Sequence, residues 1–245
     1  MKVLKIVAEG LVTSFRYPYF MFGVQPTFTM PPPATLYGHV ASTLGEWFDP
    51  RGVLFAVHFS FQKRLMEIEH THVLTSAKGK LKGSNYSKVL EGKTNLFQRE
   101  ILFKPKLVLY LNRPEWVEYF KCPRYSVTLG RSQDLFTYSE VTIVELQRAT
   151  NCYIEHTLLP YEFTRYIGQG VAILMPQWLE YKQQRYPNFR QYVILNRRVQ
   201  YNDFICLSDD DLSFWVDPLS KTVNGDQLGL VFHSWVEDND EIALA

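Results

Sequence analysis

The chain has 245 residues, of which 46% are hydrophobic, 21% are charged and 15% are aromatic, and its formal net charge is +1. These values exclude a disordered chain and indicate a globular protein with one large or two small domains. No apolar run approaches the roughly 20 residues that cross a bilayer, and the first residues lack a signal-peptide core. We therefore expect a cytoplasmic protein that does not contact a membrane.

The three cysteines are Cys122, Cys152 and Cys206, and they form no Cys-x-x-Cys pair. This spacing predicts neither a disulfide framework nor a zinc site. His70 and His72 would share one face of a strand, but no acidic or thiol residue lies nearby in the sequence, so we interpret them as a surface pair. Gly92-Lys93-Thr94 lacks the first glycine of a phosphate-binding P-loop. The sequence thus predicts no metal and no cofactor.

The charges are distributed unevenly along the chain. Lysine and arginine dominate residues 78–106, and a second basic stretch over residues 181–198 is interleaved with aromatic residues. Acidic residues concentrate between Asp209 and the end of the sequence. A single charged run is usually a solvated face, but two basic runs with aromatic residues favour a nucleic-acid partner. The acidic end suits a basic partner.

The first part of the chain predicts a strand, a proline-rich turn and a helix. Residues 3–13 alternate in polarity as a strand does, and Pro31–Pro33 interrupts regular structure. We expect a helix to begin at Thr35 and to end before the turn at residues 49–52, with a buried stripe formed by Leu36, Val40, Leu44 and Trp47.

The same helix carries a strip of small residues: Gly38, Ala41, Ser42 and Gly45. Each glycine weakens a helix by about 1 kcal/mol, so two of them indicate that something approaches this face closely. Either a sheet or the backbone of a ligand would fit. His39, on this helix, is a candidate general acid or base, although a hydrogen-bonded, partly buried histidine is the favoured interpretation.

Alternating polarity predicts further strands at residues 53–61, 65–74 and 101–111, and a short helix at Pro114–Phe120. The Gly-, Lys- and Ser-rich stretch between them predicts a projecting basic hairpin, a thumb inserted at about residues 76–100. This order predicts an α+β fold: a ferredoxin-like or RRM-type domain over residues 1–150 with a basic β-hairpin thumb, followed by a smaller β-rich region over residues 151–245.

Two segments have the composition of binding loops. Residues 14–22 combine Arg16 with aromatic residues, which suits a ligand that has phosphates and bases, although an aromatic core loop would have the same composition. The aromatic residues are Phe15, Tyr17, Tyr19, Phe20 and Phe22. In residues 124–132, a short strand is expected to lead into Gly130-Arg131-Ser132, where exposed backbone N–H groups, an arginine and a hydroxyl would form an anion-binding nest.

Four blocks at residues 14–20, 26–27, 31–38 and 129–132 closely resemble, in order and spacing, the fifth CRISPR-associated protein family. This family is the RAMP-type subunit that holds the 5′ handle of the guide RNA (crRNA) in type I surveillance complexes, called Cascade. The resemblance is strong over residues 1–135 and greatest to the subtype I-B branch.

The resemblance implies an RRM-like domain, a thumb that reaches over the guide, and a β-rich C-terminal region. It also implies four partners: the crRNA 5′ handle, the Cascade backbone subunit whose filament the protein caps, the Cascade large subunit, and target DNA indirectly through the complex. Carried over residue by residue, it gives these RNA-contacting residues: Phe15, Arg16, Tyr17, Thr35, Tyr37, Gly38, Lys78, Lys80, Lys82, Lys93, Arg99, Gly130, Arg131 and Ser132.

Two other functions remain open at this point. One branch of the family cleaves precursor crRNA without metal, and here Tyr37, His39 and a thumb lysine would supply the base and the cation that such cleavage needs. The adjacent Lys-His pair of that branch is missing from this sequence, so we expect a protein that is not an enzyme. A protein–protein scaffold with incidental charge would instead show no affinity for RNA.

Overall fold

The computed structural model describes residues 1–19, 23–181, 184–200 and 213–236. No helix in this part of the chain is long and apolar enough to cross a membrane. The described residues are mostly β, with few helices and several sheets, and this confirms the α+β class.

The elements follow one another in this order: β1 (Lys2–Gly10), β2 (Val12–Thr13), β3 (Val24–Gln25), α1 (Pro33–Leu44), β4 (Leu54–Ser60), β5 (Lys63–Ser76), β6 (Leu90–Phe103), β7 (Lys106–Leu111), a 3₁₀ turn (Pro114–Trp116) that runs into α2 (Val117–Lys121), β8 (Phe136–Glu145), β9 (Gln147–Ala149), β10 (Cys152–Ile154), β11 (Thr157–Pro160), a 3₁₀ helix (Tyr161–Arg165), β12 (Val171–Glu180), β13 (Tyr186–Leu195), β14 (Val199–Gln200), β15 (Phe214–Val216), β16 (Gln227–Leu230) and β17 (His233–Ser234).

The main sheet has the strand order β12-β13-β11-β4-β7-β1-β8, and β17 also pairs with β4. Within it, β1, α1, β4, β7, α2 and β8 form a strand–helix–strand–strand–helix–strand unit whose neighbouring strands are all antiparallel. The apolar face of α1 packs on this sheet, where Leu36 and Val40 join Leu4 and Ile6 in the largest hydrophobic core. The main sheet contains strands from before and after residue 150. The division into two regions at residue 150 stays a prediction.

Helix α1 differs from the prediction at both ends. It begins at Pro33, because proline is tolerated in a first turn and its fixed φ suits a helix. It ends at Leu44, because Gly45 takes the left-handed conformation (φ 87°) that terminates helices. The predicted continuation to Trp47 is therefore wrong: this side chain lies beyond the helix and is 46% exposed.

Strands β5 and β6 form one long antiparallel hairpin, paired from Lys63↔Phe103 to Ser76↔Leu90. The hairpin is longer than the predicted insertion at residues 76–100, because the alternating segment near residue 65 pairs with β6 rather than with the main sheet. The predicted lysine-rich stretch forms its tip.

A second sheet, with the order β14-β10-β16-β15-β9, contains strands from the second half of the chain and is tied to the main sheet by a buried polar contact. The carboxylate of Asp217 is fully buried; it accepts a hydrogen bond from the Tyr110 hydroxyl (2.8 Å) and pairs with the Lys5 ammonium (3.0 Å). A buried charge is costly without a partner, so separating the two sheets at this contact would be unfavourable.

Two buried histidines make the fold sensitive to acid. The Nε2 of His233 lies 2.9 Å from the Leu158 carbonyl, and burial lowers the pKa of His233 from 6.5 to about 4. Burial also lowers the pKa of His39. The unfolded chain binds these protons near pH 6.5, so the contribution to stability is complete above that pH and is lost as the pH falls toward 4.

We expect the free energy of unfolding to decrease between pH 6.5 and 4, with His233 contributing a slope of up to about 1.4 kcal/mol per pH unit. The variant His233→Gln keeps a donor for Leu158 but cannot be protonated. Urea unfolding of both proteins at several pH values should show a shallower slope for the variant. Equal slopes would contradict a neutral, buried His233.

Candidate nucleic-acid interface

A cleft of about 380 Å³ opens at the start of α1. Thr35 and Gly38 line it from the helix, and Gly130 lines it from the turn that precedes β8. The structure thus brings together three residues that the sequence analysis assigned to one site. The opposite wall comes from Tyr181 and Arg185, at the tip of the β12–β13 hairpin.

A second cavity, of about 350 Å³, continues the cleft along α1 and shares Gly38 and Trp47 with it. Its lining includes the remaining small residues of the helix, Ala41, Ser42 and Gly45. The small-residue strip therefore faces an open groove and not a sheet. A Cβ added to Gly38 would meet no atom within 4 Å, so packing inside the protein does not require glycine there. We call the two cavities together the α1 groove.

Trp47 and Arg185 give the α1 groove an aromatic wall and a cation. The Trp47 ring lies 4.1 Å from the Tyr181 ring, and the Arg185 guanidinium lies 5.9 Å from the Tyr181 ring. An exposed indole can stack on a base, and a nearby guanidinium can pair with a phosphate. The sequence analysis missed Trp47 because it placed this residue in the buried stripe; Gly45, as a helix stop, was the signal that could have placed it correctly.

The turn at Gly130 does not form the predicted anion-binding nest for an external ligand. The buried carboxylate of Asp134 accepts hydrogen bonds from the backbone N–H groups of Ser14 (3.2 Å) and Arg131 (2.9 Å). The chain's own carboxylate thus occupies the position that the prediction gave to a phosphate. The short strand expected before this turn is also absent from the described residues, where one isolated bridge joins Thr128 and Leu135.

Arg131 and Arg99 belong to a network of ion pairs at the base of the long hairpin. Arg131 contacts Glu67 (3.1 Å), Glu69 (3.0 Å) and Asp134 (2.9 Å), and Arg99 donates to Glu69 (2.7 Å). Burial opposes the charge of Arg131, but the hydrogen bonds that its guanidinium donates to Asp134, Glu67 and Glu69 raise its pKa. Only 13% and 12% of the two side chains are exposed. Both charges are paired with carboxylates inside the protein, so an RNA contact by these two arginines, which stays a prediction, would compete with their ion pairs.

Phe15 and Tyr37, both predicted to contact RNA, lie in the hydrophobic core. The Phe15 ring packs edge-on against Phe59, and the Tyr37 hydroxyl donates to the Phe48 carbonyl (2.7 Å). Neither ring is available for stacking on a base in this arrangement. For Phe15, the structure therefore agrees with the alternative interpretation, in which residues 14–22 form an aromatic loop that packs into the core.

Other predicted residues are accessible. Arg16 and Ser132 are exposed, and Tyr17 is half-buried and stacks on Phe28 with 3.9 Å between ring centroids. Lys78, Lys80, Lys82 and Lys93 are exposed on the hairpin. Several residues singled out in the sequence lie outside the described residues: Phe20, Phe22, Lys182, Cys206, and the acidic residues at 209–211 and 237–241.

His39 is buried beneath the cleft and both of its ring nitrogens have partners. Nδ1 lies 2.8 Å from the Thr128 carbonyl, and Nε2 lies 3.0 Å from the Tyr138 hydroxyl. Burial lowers the pKa of His39, so the neutral ring donates through Nδ1 and accepts through Nε2. This arrangement agrees with the hydrogen-bonded interpretation, and it fixes the Thr128 end of the cleft wall. Within the described residues, no group of three or more His, Cys, Asp or Glu side chains could hold a metal.

No protein-family model matches the sequence, and no curated protein matches it. Solved structures do. One chain of a CRISPR RNA-guided surveillance complex aligns with a TM-score of 0.52 at 14% identity, over 85% of this chain and 95% of that chain. The fold of this chain is therefore similar to that of one chain of a CRISPR RNA-guided surveillance complex. The resemblance inferred from the sequence is thus confirmed at the level of the fold.

Two further structures align with lower scores. A CRISPR protein from Archaeoglobus fulgidus has a TM-score of 0.47 at 12% identity, over 96% of this chain and all (100%) of that chain. A chain of a type III-B Cmr-beta complex bound to cognate target RNA has a TM-score of 0.43 at 11% identity, over 82% and 86% of the two chains.

The turn at Gly130 provides a test of how the cleft wall is held. Gly130 has φ 104°, and an added Cβ would lie 2.4 Å from the Thr13 hydroxyl. Gly225 has φ 91°, but an added Cβ would meet nothing within 4 Å. We expect Gly225→Ala to cost about 1–2 kcal/mol from its backbone conformation, and Gly130→Ala to cost clearly more because a clash is added. Chemical unfolding of both variants measures the difference, and equal losses would contradict the packed turn.

Proposed function

We propose that this protein is a non-catalytic subunit of a type I CRISPR Cascade complex and that it binds the 5′ handle of the crRNA in the α1 groove. The observation that carries the proposal is the convergence of Thr35, Gly38 and Gly130 on one open groove beside Trp47 and Arg185. The fold likeness to a chain of an RNA-guided surveillance complex supports an effector-complex role.

The topology supports the finer description of the fold. The strand–helix–strand–strand–helix–strand order, with the sheet order β4-β7-β1-β8, is that of a ferredoxin-like or RRM-type domain. The hairpin from Lys63 to Phe103 is the thumb, and its lysine-bearing tip extends toward the guide and the neighbouring backbone subunit. The protein caps the backbone filament, docks the large subunit and meets target DNA indirectly through the complex. Its sequence favours subtype I-B.

The groove suits a single strand of RNA better than a compact small molecule. Gly38 leaves the helix backbone open to close approach, and the two linked cavities form an elongated path. One base stacked on Trp47 would contribute about 1–3 kcal/mol. Arg185 would pair with an adjacent phosphate. Since the formal net charge is only +1, these local contacts, and not the overall charge, have to provide the affinity.

The positions of Tyr37 and His39, the two side chains that RNA cleavage would require, argue against a ribonuclease. Tyr37 is fully buried with its hydroxyl bonded to Phe48, and both ring nitrogens of His39 are engaged. A general base has to reach the 2′-hydroxyl of the RNA. Tyr37 lies in the core, and His39, although it lines the cleft, could take up a proton there only by giving up one of its hydrogen bonds.

A gel-shift assay with labelled repeat RNA in EDTA tests the proposal. We expect a shift that depends on the handle sequence, with the RNA left intact. Trp47→Ala and Arg185→Ala should each weaken binding about tenfold, as the loss of one stack or one phosphate contact implies. The matched control is Arg148→Ala, which removes an exposed arginine from the second sheet.

If Arg148→Ala weakened RNA binding as much as Arg185→Ala does, the loss would reflect the lower positive charge of the protein and not a contact in the α1 groove. A complete lack of RNA affinity would favour the scaffold hypothesis. Specific, metal-independent cleavage would replace the proposal by the ribonuclease one.

Gly38→Ala separates binding from folding. Because the position is inside a helix and has free space around it, alanine should raise the free energy of unfolding by up to about 1 kcal/mol. The added methyl group projects into the α1 groove and should weaken handle binding. Unfolding and gel-shift measurements on the same preparation decide: a more stable variant with unchanged RNA affinity would mean that RNA does not approach this face.

A further inference from the structure

The two edges of the main sheet are protected to different degrees. At the β12 edge, Pro176 interrupts the strand, the register shifts between Pro176 and Trp178, and α1 packs nearby. Such devices prevent pairing with other chains. At the opposite edge, β1 is the one strand of the described residues that pairs with β8. On the other side of β8, the described residues make a backbone hydrogen bond at its first residue, where the Phe136 N–H donates to the Val127 carbonyl (2.9 Å), and leave the rest of that side unpaired.

The second half of β8 has the composition of a strand that pairs readily. Val141, Thr142, Ile143 and Val144 are all β-branched, and no proline, glycine or lysine occurs between Glu140 and Glu145. The register shift in β8 lies before this stretch, near Ser139, so the segment from Glu140 onward pairs regularly with β1. Ile143 is 47% exposed at this edge.

A cavity of about 460 Å³, lined by both polar and apolar side chains, follows the first half of the edge. It is lined by consecutive residues 136–141 of β8 and, across from them, by Phe120, Pro123 and Val127. Because residues of both strand faces line it, the cavity lies beside the strand, where the backbone of an added strand would run.

The two charged side chains of β8 are both acidic, and the exposed Lys2 of β1 lies opposite one of them, Glu145. Glu140 lies 3.8 Å from Lys5, but Lys5 is closer to Asp217, at 3.0 Å. Glu145 has no ion pair among the described residues, and Lys121, the basic residue that lines the cavity, is already paired with Glu118. These glutamates disfavour an RNA backbone and also a second copy of the same acidic edge.

We propose that β8 is a docking edge for an extended, basic segment of a partner protein, which adds to the main sheet as a further strand. Main-chain hydrogen bonds to β8 supply affinity. Alternate apolar side chains of the added strand pack beside Phe120, and basic side chains pair with Glu140 and Glu145. This surface is distinct from the α1 groove, so it does not depend on RNA binding.

Amide NMR titration of the 245-residue protein tests the proposal with a defined probe, the acetylated and amidated peptide Lys-Val-Lys-Val-Lys-Val-Lys. We expect shift changes concentrated at residues 137–145 and at the cavity lining. Replacing every lysine of the peptide by glutamate should abolish them.

Two variants keep the test independent of folding. Ile143→Lys places a charge at the exposed edge, and the double variant Glu140→Gln, Glu145→Gln keeps the shape but removes the acid. Each should weaken peptide binding about fivefold, the size of one cross-strand pair, while the remaining amide signals stay native. For comparison, Leu219→Lys changes an exposed apolar residue that lies outside β8.

Three results would overturn the proposal. Shift changes scattered over the surface, or unchanged in both edge variants, would mean non-specific attraction. Binding of the glutamate peptide with equal affinity would refute the basic partner. A doubled mass in light scattering without peptide, with β8 amides protected from exchange, would identify a second copy as the occupant.

Discussion

The structure depends on one buried carboxylate, that of Asp134. It accepts backbone hydrogen bonds from Ser14 and from Arg131 and binds the Arg131 guanidinium, whose other nitrogen reaches Glu67 and Glu69 on β5. Three parts of the chain that are distant in sequence therefore meet at a single charge. Removing one partner of such a buried pair typically costs about 3–5 kcal/mol, since the other charge is left unpaired.

The buried ion pair between Asp134 and Arg131 also determines the position of one wall of the α1 groove. The turn that holds Gly130 forms one wall of the α1 groove, and its position is fixed from behind by Asp134, by the Thr13 hydroxyl on the Leu129 carbonyl and by His39 on the Thr128 carbonyl. The same network anchors the base of the hairpin, where Arg99 and Glu69 pair. The groove wall and the base of the hairpin are thus held in place by the same group of ion pairs.

Much of the fold followed from local pattern. The alternating strands, the helix over the proline-rich turn and the lysine-rich hairpin tip were predictable because each depends on residues close together in sequence. The site was predictable in part: Thr35, Gly38 and Gly130 converge as expected, since small residues mark places where backbone stays accessible. The ion pairs of Arg131 and Arg99 were not predictable, because an arginine looks the same in sequence whether its partner is a phosphate or a distant glutamate. Trp47 was assigned to the buried face of α1 because the helix was predicted to continue about one turn further, whereas Gly45 ends it.

The contact between Lys5, Tyr110 and Asp217 has a consequence for how such a chain can change over evolution. Its three members come from the first strand, from the middle and from the last quarter of the sequence, and β4 pairs with strands from beyond residue 150 as well. Exchanging either half for that of another protein would leave the charge of Lys5 or of Asp217 buried without its partner. The two regions have to be inherited as a unit, and variation is confined to the surfaces that they present: the hairpin tip, the groove and the free edge of the sheet.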